Sequence, residues 1–275
     1  MKPFRLLLSI ALVIGVAVAV TESNAVAQGR AAGVPAGTIV DLSYPFDSST
    51  VYWPTAETFQ LEKDFEGTTE QGYYYSAYRY SAAEHGGTHI DAPVHFAKGR
   101  NTVDEIPIEQ LMGPGIVVDV TKQCEKNPDY LITESDFKNW EQRNGKIAAE
   151  TIVLLRTGFG RFYPERKRYL GTDQRGAAAV ASLHFPGLHP DAARWLTQNR
   201  KVKAIGLDTT SIDYGQSKLF ESHRTLFAKN IPAFENVANL DKLPASGFSV
   251  IALPMKIKGG SGGPLRIIAV IRDRR

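Results

Sequence analysis

The 275-residue sequence contains a single cysteine, Cys124. No disulfide bond can therefore form within the chain, and a structural zinc site of the cysteine-rich kind is excluded. Any metal ion would have to be bound by histidine, aspartate or glutamate. The sequence also lacks blocks of like charge, and its formal net charge is only +3. Nothing in this charge pattern indicates a nucleic-acid-binding surface.

Long linkers, internal repeats and low-complexity tracts are absent beyond residue 37. With 43% hydrophobic and 22% charged residues, the composition is typical of a globular protein. Residues 38–275 are numerous enough to bury a substantial core. We therefore expect them to form one domain.

The first 27 residues have the features of a secretory signal peptide. Lys2 and Arg5 precede an apolar run at 6–20, and small residues lead to Ala25-Val26-Ala27. The alternative is an uncleaved membrane anchor, but a membrane span needs about 20 apolar residues. We predict export to the periplasm or the medium, with residues 28–37 as a flexible linker and no membrane association after cleavage. Removal of residues 1–27 would lower the formal net charge from +3 to +2.

Strand patterns outnumber helix patterns in the remaining sequence. Three helices are indicated: one after Thr133, one beginning near Pro190, and one within 217–229. Several of the strand patterns are continuous apolar runs, which indicates strands covered on both faces. The sequence therefore predicts a mixed α/β fold with a mixed or antiparallel sheet. The predicted strands lie at 38–42, 73–80, 116–120, 151–156, 202–208, 248–253 and 265–271.

Three of the six histidines fall within residues 85–95. Two glycines follow His85 and disfavour a helix, but they allow a tight bend. If residues 89–91 are extended, His89 and Asp91 point to the same side, and the bend can fold His85 back toward them. Two imidazoles and one carboxylate suit Zn²⁺ or Mn²⁺. The alternative, three merely packed polar histidines, fits this cluster poorly.

His95 lies beyond Pro93, six residues after His89, so it need not face the same ion. It is either a further ligand or a proton-transfer group beside the metal. We favour acid–base catalysis, because the pKa of imidazole lies near neutrality.

The run His85-Gly-Gly-Thr-His89-Ile-Asp91-Ala-Pro93-Val-His95-Phe resembles the signature of the cyclase family, which includes bacterial kynurenine formamidase and isatin hydrolase. The resemblance extends over nearly all of the predicted mature chain. It implies a single domain with a mixed, partly barrel-like β-sheet flanked by helices. It also implies a homodimer or higher homo-oligomer.

The resemblance implies a role for each matching residue. His85, His89 and Asp91 correspond to the ligands of a first metal, and His223 and Glu235 to those of a second, with the aspartate shared. His95 corresponds to the catalytic acid–base. Because the isatin hydrolases resemble one-metal manganese enzymes, one or two ions of Mn²⁺ or Zn²⁺ are expected. Gln216 and Ser217 lie in a segment closer to the isatin hydrolases and are candidates for substrate contact.

The expected reaction is hydrolysis of a small aromatic amide by metal-activated water. Trp53 and Phe46 are expected to form an apolar wall for a flat substrate. Ring opening of an isatin-type cyclic amide is the first expectation, and N-formylkynurenine hydrolysis is the second. A third possibility, a non-catalytic periplasmic protein that binds a carboxylate ligand through the metal, would not need His95.

Two other motifs invite attention. The glycine-rich segment 256–264 lacks the strand–loop–helix setting of a phosphate loop, and we expect a flexible connection between two strands. His184 and His189 flank a segment that we expect to form a turn and a helix cap. Contact of either motif with the active site is left open.

Overall fold

The computed structural model describes residues 37–272. The predicted signal peptide, and the predicted linker apart from Gly37, lie outside the described residues. Within the described part of the chain, no helix has the length and hydropathy needed to cross a bilayer.

Twelve strands, five α-helices and five short 3₁₀ helices make up the regular structure of residues 37–272. The strands are β1 (Thr38–Asp41), β2 (Gln60–Thr68), β3 (Tyr74–Ser81), β4 (His89–Asp91), β5 (Met112–Asp119), β6 (Leu131–Ile132), β7 (Ile152–Arg156), β8 (Gly187–Leu188), β9 (Ala204–Leu207), β10 (Ala233–Glu235), β11 (Phe248–Pro254) and β12 (Gly262–Ile271). The helices are α1 (Thr121–Lys126), α2 (Glu134–Asn144), α3 (Arg166–Leu170), α4 (Pro190–Asn199) and α5 (Glu221–Phe227).

Seven strands close into a barrel in the order β12, β11, β5, β7, β9, β10, β4 and back to β12. The neighbours from β5 to β10 run parallel, whereas the other pairs of the ring are antiparallel. β1 adds to β12 outside the closed ring. The predicted mixed, partly barrel-like sheet flanked by helices is confirmed.

The parallel strands are apolar on both faces because each face meets a separate core. Val117 and Leu154 belong to the cluster that fills the barrel. Their neighbours Val118 and Leu155 belong to a second cluster, which lies between the barrel and the helices. This explains the continuous apolar runs, since side chains alternate between the two faces of a strand.

Side-chain caps fix the starts of the two longest helices. Thr133 and Asp136 form a capping box at the start of α2. At α4, Pro190 occupies the first turn and His189 accepts a hydrogen bond from the Asp191 N–H at 3.0 Å. The expected helix cap is therefore confirmed, but the expected turn is wrong, because Gly187 and Leu188 form strand β8 and pair with β6.

The hairpin formed by β2 and β3 stands apart from the barrel. Its two strands pair only with each other in the described part of the chain. Nearly all of its residues are exposed, including several tyrosines. Its two ends return to the rim of the cavity described next.

Candidate active site

The centre of the site is an antiparallel pair of three-residue strands, β4 and β10. Their register places His89 directly opposite Glu235. Ile90 and Phe234 point into the barrel core. Because side chains alternate along a strand, His89, Asp91 and Glu235 all point away from the barrel interior. These three side chains are buried beneath the helical layer.

The Gly86-Gly87 bend brings His85 to the same place. Gly87 has a φ of 56°, in the left-handed region that favours glycine. A side chain at Gly86 would overlap the ring of Tyr52. With both glycines present, the chain folds back and His85 Nδ1 lies 2.7 Å from Asp91 Oδ1.

Helix α5 supplies a third histidine from a distant part of the sequence. His223 Nε2 lies 3.2 Å from Asp91 Oδ2 and 3.1 Å from Glu235 Oε1. Two groups of possible metal ligands result, His85–His89–Asp91 and Asp91–His223–Glu235, which share the aspartate. The structure thus brings together all five side chains that were expected to be metal ligands.

Each of the three histidines His85, His89 and His223 is anchored through the ring nitrogen that faces away from Asp91 and Glu235. His85 Nε2 lies 2.9 Å from the Ser261 hydroxyl, and that hydroxyl is itself 2.6 Å from a Glu84 carboxylate oxygen. The Ser261 proton therefore goes to Glu84, and His85 Nε2–H donates to Ser261. His89 Nδ1–H donates to the Gly87 carbonyl at 3.0 Å. In the same way, His223 Nδ1–H donates to Asp213 at 2.6 Å.

These anchors leave three imidazole lone pairs facing carboxylate oxygens. The separations range from 2.7 Å for His85 to 3.5 Å between His89 Nε2 and Glu235. Lone pairs at such distances repel unless a proton or a metal ion lies between them. His89 Nε2 is buried and has no hydrogen-bond partner. Anchored imidazoles and convergent carboxylates are the donor set of Zn²⁺ and Mn²⁺, so the residues present fit a divalent metal.

The pKa values of these carboxyl and imidazole groups are shifted because the groups lie close together in a buried site. Burial alone would raise the pKa of Asp91, but His85, His223 and His89 lower it well below its usual value. Burial and the Asp91 charge raise the pKa of Glu235. Burial disfavours charge on His89 and His223, yet the carboxylates outweigh burial and raise both pKa values. Protons and a metal ion therefore compete for the same nitrogen atoms.

The pKa of His95 is shifted in the opposite direction to those of His89 and His223. It ends the short 3₁₀ turn Pro93–His95, and its ring stacks on His85 with centroids 3.8 Å apart. Burial lowers the pKa of His95 to about 4, because the opposing effect of the Asp91 charge is smaller and the neighbouring histidines lower the pKa further. At neutral pH its imidazole is uncharged and can accept a proton.

A cavity of about 280 Å³ opens beside these groups. Trp53, Phe96 and Phe220 give it an aromatic wall, and Ala56 and Ala83 leave space at its rim. Among the described residues that line it, there is no lysine or arginine. The cavity has room for a small molecule and presents an aromatic surface to it.

Three of the expected substrate contacts lie elsewhere. Phe46 lies against Gly87 and lines a separate groove with Met255 and Leu253, because the glycine bend separates it from the cavity. Gln216 donates a hydrogen bond to the Leu183 carbonyl. The Ser217 hydroxyl accepts a hydrogen bond from the Phe220 N–H at 3.2 Å. Of the four expected contacts, only Trp53 lines the cavity.

Several residues of the site were not selected from the sequence. Asp213 holds His223 and also accepts hydrogen bonds from the Ser222 and His223 N–H groups. Ser261 holds His85 from the β11–β12 loop. Phe96 follows His95 directly and could have been noted as an aromatic neighbour of the signature. No sequence signal pairs Ser261 with a residue 176 positions away.

The chain is similar to proteins of known family and activity. The sequence model of a family described as "Putative cyclase" matches residues 40–214. The chain is similar to the isatin hydrolase of Roseibium aggregatum, with 30% identity over 265 residues that cover 89% of this chain and 98% of that protein. It is also similar to the kynurenine formamidase of Bacillus cereus, with 29% identity over 237 residues, or 85% of this chain and 96% of that protein.

A solved structure shows the same likeness in three dimensions. Isatin hydrolase A from Ralstonia solanacearum superposes with a TM-score of 0.77 at 32% sequence identity. The match covers 86% of this chain and 92% of the other chain. The two proteins therefore share one architecture over almost their whole length.

Proposed function

The chain belongs to the cyclase family, and from that premise we propose that it is a metal-dependent hydrolase that opens a small cyclic aryl amide, with isatin as the first candidate substrate. The observation that carries this proposal is the convergence of three anchored imidazoles on shared carboxylates, at the base of an aromatic cavity. A neutral histidine that is not one of these candidate ligands lines the same cavity.

The chemistry divides between the metal site and His95. A divalent ion held by His85, His89 and Asp91 would lower the pKa of water toward about 7 and polarise a carbonyl oxygen. His95 accepts the proton of the attacking water, because burial keeps its imidazole uncharged at neutral pH. The same imidazole then delivers that proton to the departing amide nitrogen.

The cavity supports a cyclic amide over N-formylkynurenine. Isatin is flat and uncharged, and the aromatic side chains of Trp53, Phe96 and Phe220 offer it surfaces for stacking. N-formylkynurenine carries an amino-acid group whose carboxylate would need a cationic partner. Among the described lining residues no lysine or arginine supplies one. Arylformamidase activity is our second candidate, supported by the similarity to the Bacillus cereus kynurenine formamidase.

The ligand set is compatible with either Mn²⁺ or Zn²⁺, and with one or two ions. Imidazole nitrogens together with carboxylate oxygens suit both metals. The second group, Asp91–His223–Glu235, contains no sulfur donor and shares Asp91 with the first. We propose that the first group is occupied in the active enzyme and that the second group accommodates an additional ion.

A substrate panel tests the proposal. Isatin, N-formylkynurenine and simple lactones are assayed with chelator-stripped protein and with protein restored by Mn²⁺ or Zn²⁺. We expect metal-dependent ring opening of isatin with the highest kcat/KM of the panel. A preference for N-formylkynurenine would support the second candidate. If no compound is turned over but a carboxylate binds tightly, the result would support a non-catalytic binding protein.

The β2–β3 hairpin supports assembly into a homodimer. Phe65 and Tyr75 stack on one face of the hairpin and are 40% and 51% exposed, and neighbouring exposed apolar side chains of this kind support an interaction site. The hairpin also carries acidic and basic side chains, among them Glu62 and Arg79. A patch that presents both signs can pair with its own copy around a two-fold axis. We therefore propose a second copy of this chain as the partner of the hairpin.

We propose export on the strength of residues 1–27 alone. The intact mass of the protein recovered from the periplasm or medium tests this directly. Cleavage after Ala27 is the expected result, whereas a chain that retains Met1 in the membrane fraction would contradict it.

A further inference from the structure

The loop between β11 and β12 is hydrogen-bonded to Val103 and Asp104, which follow the segment that carries the metal ligands. The Gly260 carbonyl accepts a hydrogen bond from the Val103 N–H at 2.9 Å. The Gly259 N–H donates to Asp104 at 2.9 Å. The segment connects two strands, as expected, and these hydrogen bonds hold it against Val103 and Asp104.

Ser261 uses all of its polar atoms in this contact. Its N–H donates to Glu84 at 3.0 Å, and its carbonyl accepts from the Ala92 N–H at 2.8 Å. Its hydroxyl donates to Glu84 at 2.6 Å and accepts from His85 Nε2–H at 2.9 Å. The serine thus bridges the residue before His85 and the residue after Asp91. Its hydroxyl has a single orientation available.

The neighbouring glycines make room for this arrangement. A side chain at Gly260 would lie 2.8 Å from a Glu84 carboxylate oxygen, closer than a Cβ atom normally approaches. At Gly262, which pairs with Asp91 in the sheet, a side chain would overlap the His85 ring. The glycine-rich sequence therefore serves close packing against Glu84 and His85.

We propose that Ser261 is a positioning residue for the metal centre, with Glu84 fixing the direction of its hydroxyl. The Ser261 hydroxyl accepts the His85 Nε2 proton, which leaves the lone pair of Nδ1 directed at the metal position beside Asp91. A ligand held in one tautomer and one orientation loses less freedom on binding a metal. Partners of this kind contribute about 10–100-fold to metal affinity.

This inference rests on the proposed metal site, and its test uses metal affinity. Chelator-stripped wild type and variants are titrated with MnCl₂ and with ZnCl₂ by isothermal calorimetry. Ser261→Ala is expected to bind about 10–100-fold more weakly. Ser261→Thr, which keeps a hydroxyl, is expected to restore most of the affinity. Glu84→Gln is expected to fall between wild type and Ser261→Ala, because the amide oxygen still accepts the hydroxyl proton.

Two controls separate positioning from folding. Ser246→Ala removes an exposed hydroxyl just before β11 and is expected to leave affinity unchanged. Metal-free Ser261→Ala is expected to unfold in one cooperative transition, with its thermal midpoint lowered only by the loss of two hydrogen bonds. Equal metal affinity in Ser261→Ala and wild type would overturn the inference while leaving the proposed function intact. Failure of the wild type to bind either metal would overturn the proposed function itself.

Discussion

The three histidines of the site do not present the same nitrogen. His85 faces the carboxylates through Nδ1, whereas His89 and His223 face them through Nε2. The difference follows from the anchors, which are a hydroxyl, a backbone carbonyl and a carboxylate. A carboxylate anchor makes an imidazole a stronger donor than a neutral anchor does. The two ligand groups therefore differ in donor strength as well as composition.

At the residue scale, the metal ligands could be predicted from the sequence more accurately than the residues that contact the substrate. The spacing of His85, His89 and Asp91 limits how they can be arranged, so their convergence could be predicted. The substrate contacts depend on which side of the glycine bend a residue lies, and spacing does not determine that. Phe46 was expected to line the cavity, but it packs against Gly87 and lines a separate groove.

Removal of one ligand should remove metal and activity together. In His89→Ala, Asp91 and Glu235 lose the nitrogen that lies between them, and we expect metal content and turnover both to fall to near background. Elemental analysis and an activity assay check this. His184→Ala is the matched control, because His184 is exposed and pairs with Asp129 away from the cavity. Unchanged metal content in His89→Ala would refute the ligand role.

Substitution of His95 should reduce catalysis without reducing metal binding. We expect His95→Ala to retain its metal and to lose about 10²–10⁴-fold in kcat, the usual contribution of general acid–base catalysis. Metal content and kcat are measured on the same preparation. Loss of the metal in this variant would place His95 among the ligands.

At the scale of elements, long apolar strands were predictable and short polar ones were not. The runs in β5, β7 and β9 are covered on both faces, so each leaves a clear signal in the sequence. β4 and β10 have three residues each, too few to show an alternation. Their pairing depends on closure of the barrel, which brings together segments more than 140 residues apart. The centre of the site is thus the part of the fold that sequence patterns describe least.

An ion pair joins Glu141 of α2 to Arg200, the residue that follows α4, and its contribution to the free energy of unfolding depends on pH. Glu141 accepts two hydrogen bonds from Arg200, at 2.6 and 2.7 Å, and this contact lowers the pKa of Glu141. A lowered folded-state pKa adds stability above the unfolded-state pKa, and that stability is lost as pH falls through the folded value. We expect Glu141→Gln to cost about 1 kcal/mol at pH 7.

Denaturant titrations at several pH values check this expectation. The difference between wild type and Glu141→Gln should vanish at pH values below both pKa values of Glu141. Glu134→Gln, in the same helix, removes an exposed pair with Lys138 and should change stability by a few tenths of a kcal/mol. A difference for Glu141→Gln that persists unchanged into strong acid would rule out the ion pair as its cause.

At the scale of the molecule, the β2–β3 hairpin exposes apolar side chains that no other part of the described chain covers. Phe65 and Tyr75 stack at 5.8 Å on one face of it and remain largely exposed. Its ends lead to Ala56 and Ala83 at the cavity rim. A partner bound to the hairpin would therefore lie close to the entrance for substrate.

Charge on the hairpin should disrupt the dimer. We expect wild type to have the mass of two chains by light scattering after gel filtration, and Phe65→Glu/Tyr75→Glu to have the mass of one. Ile108→Glu places the same charge at another exposed apolar position, 54% exposed and outside the hairpin, and should not change the mass. A wild type that elutes as one chain at micromolar concentration would exclude this interface.

The central claim is that a divalent ion among His85, His89 and Asp91 is required for hydrolysis. Its most direct test is an activity titration, in which stripped protein receives Mn²⁺ or Zn²⁺ in substoichiometric steps while isatin ring opening is followed by absorbance. We expect no turnover before addition and a linear recovery that ends at one or two ions per chain. Full turnover by protein shown to contain no metal would contradict the account.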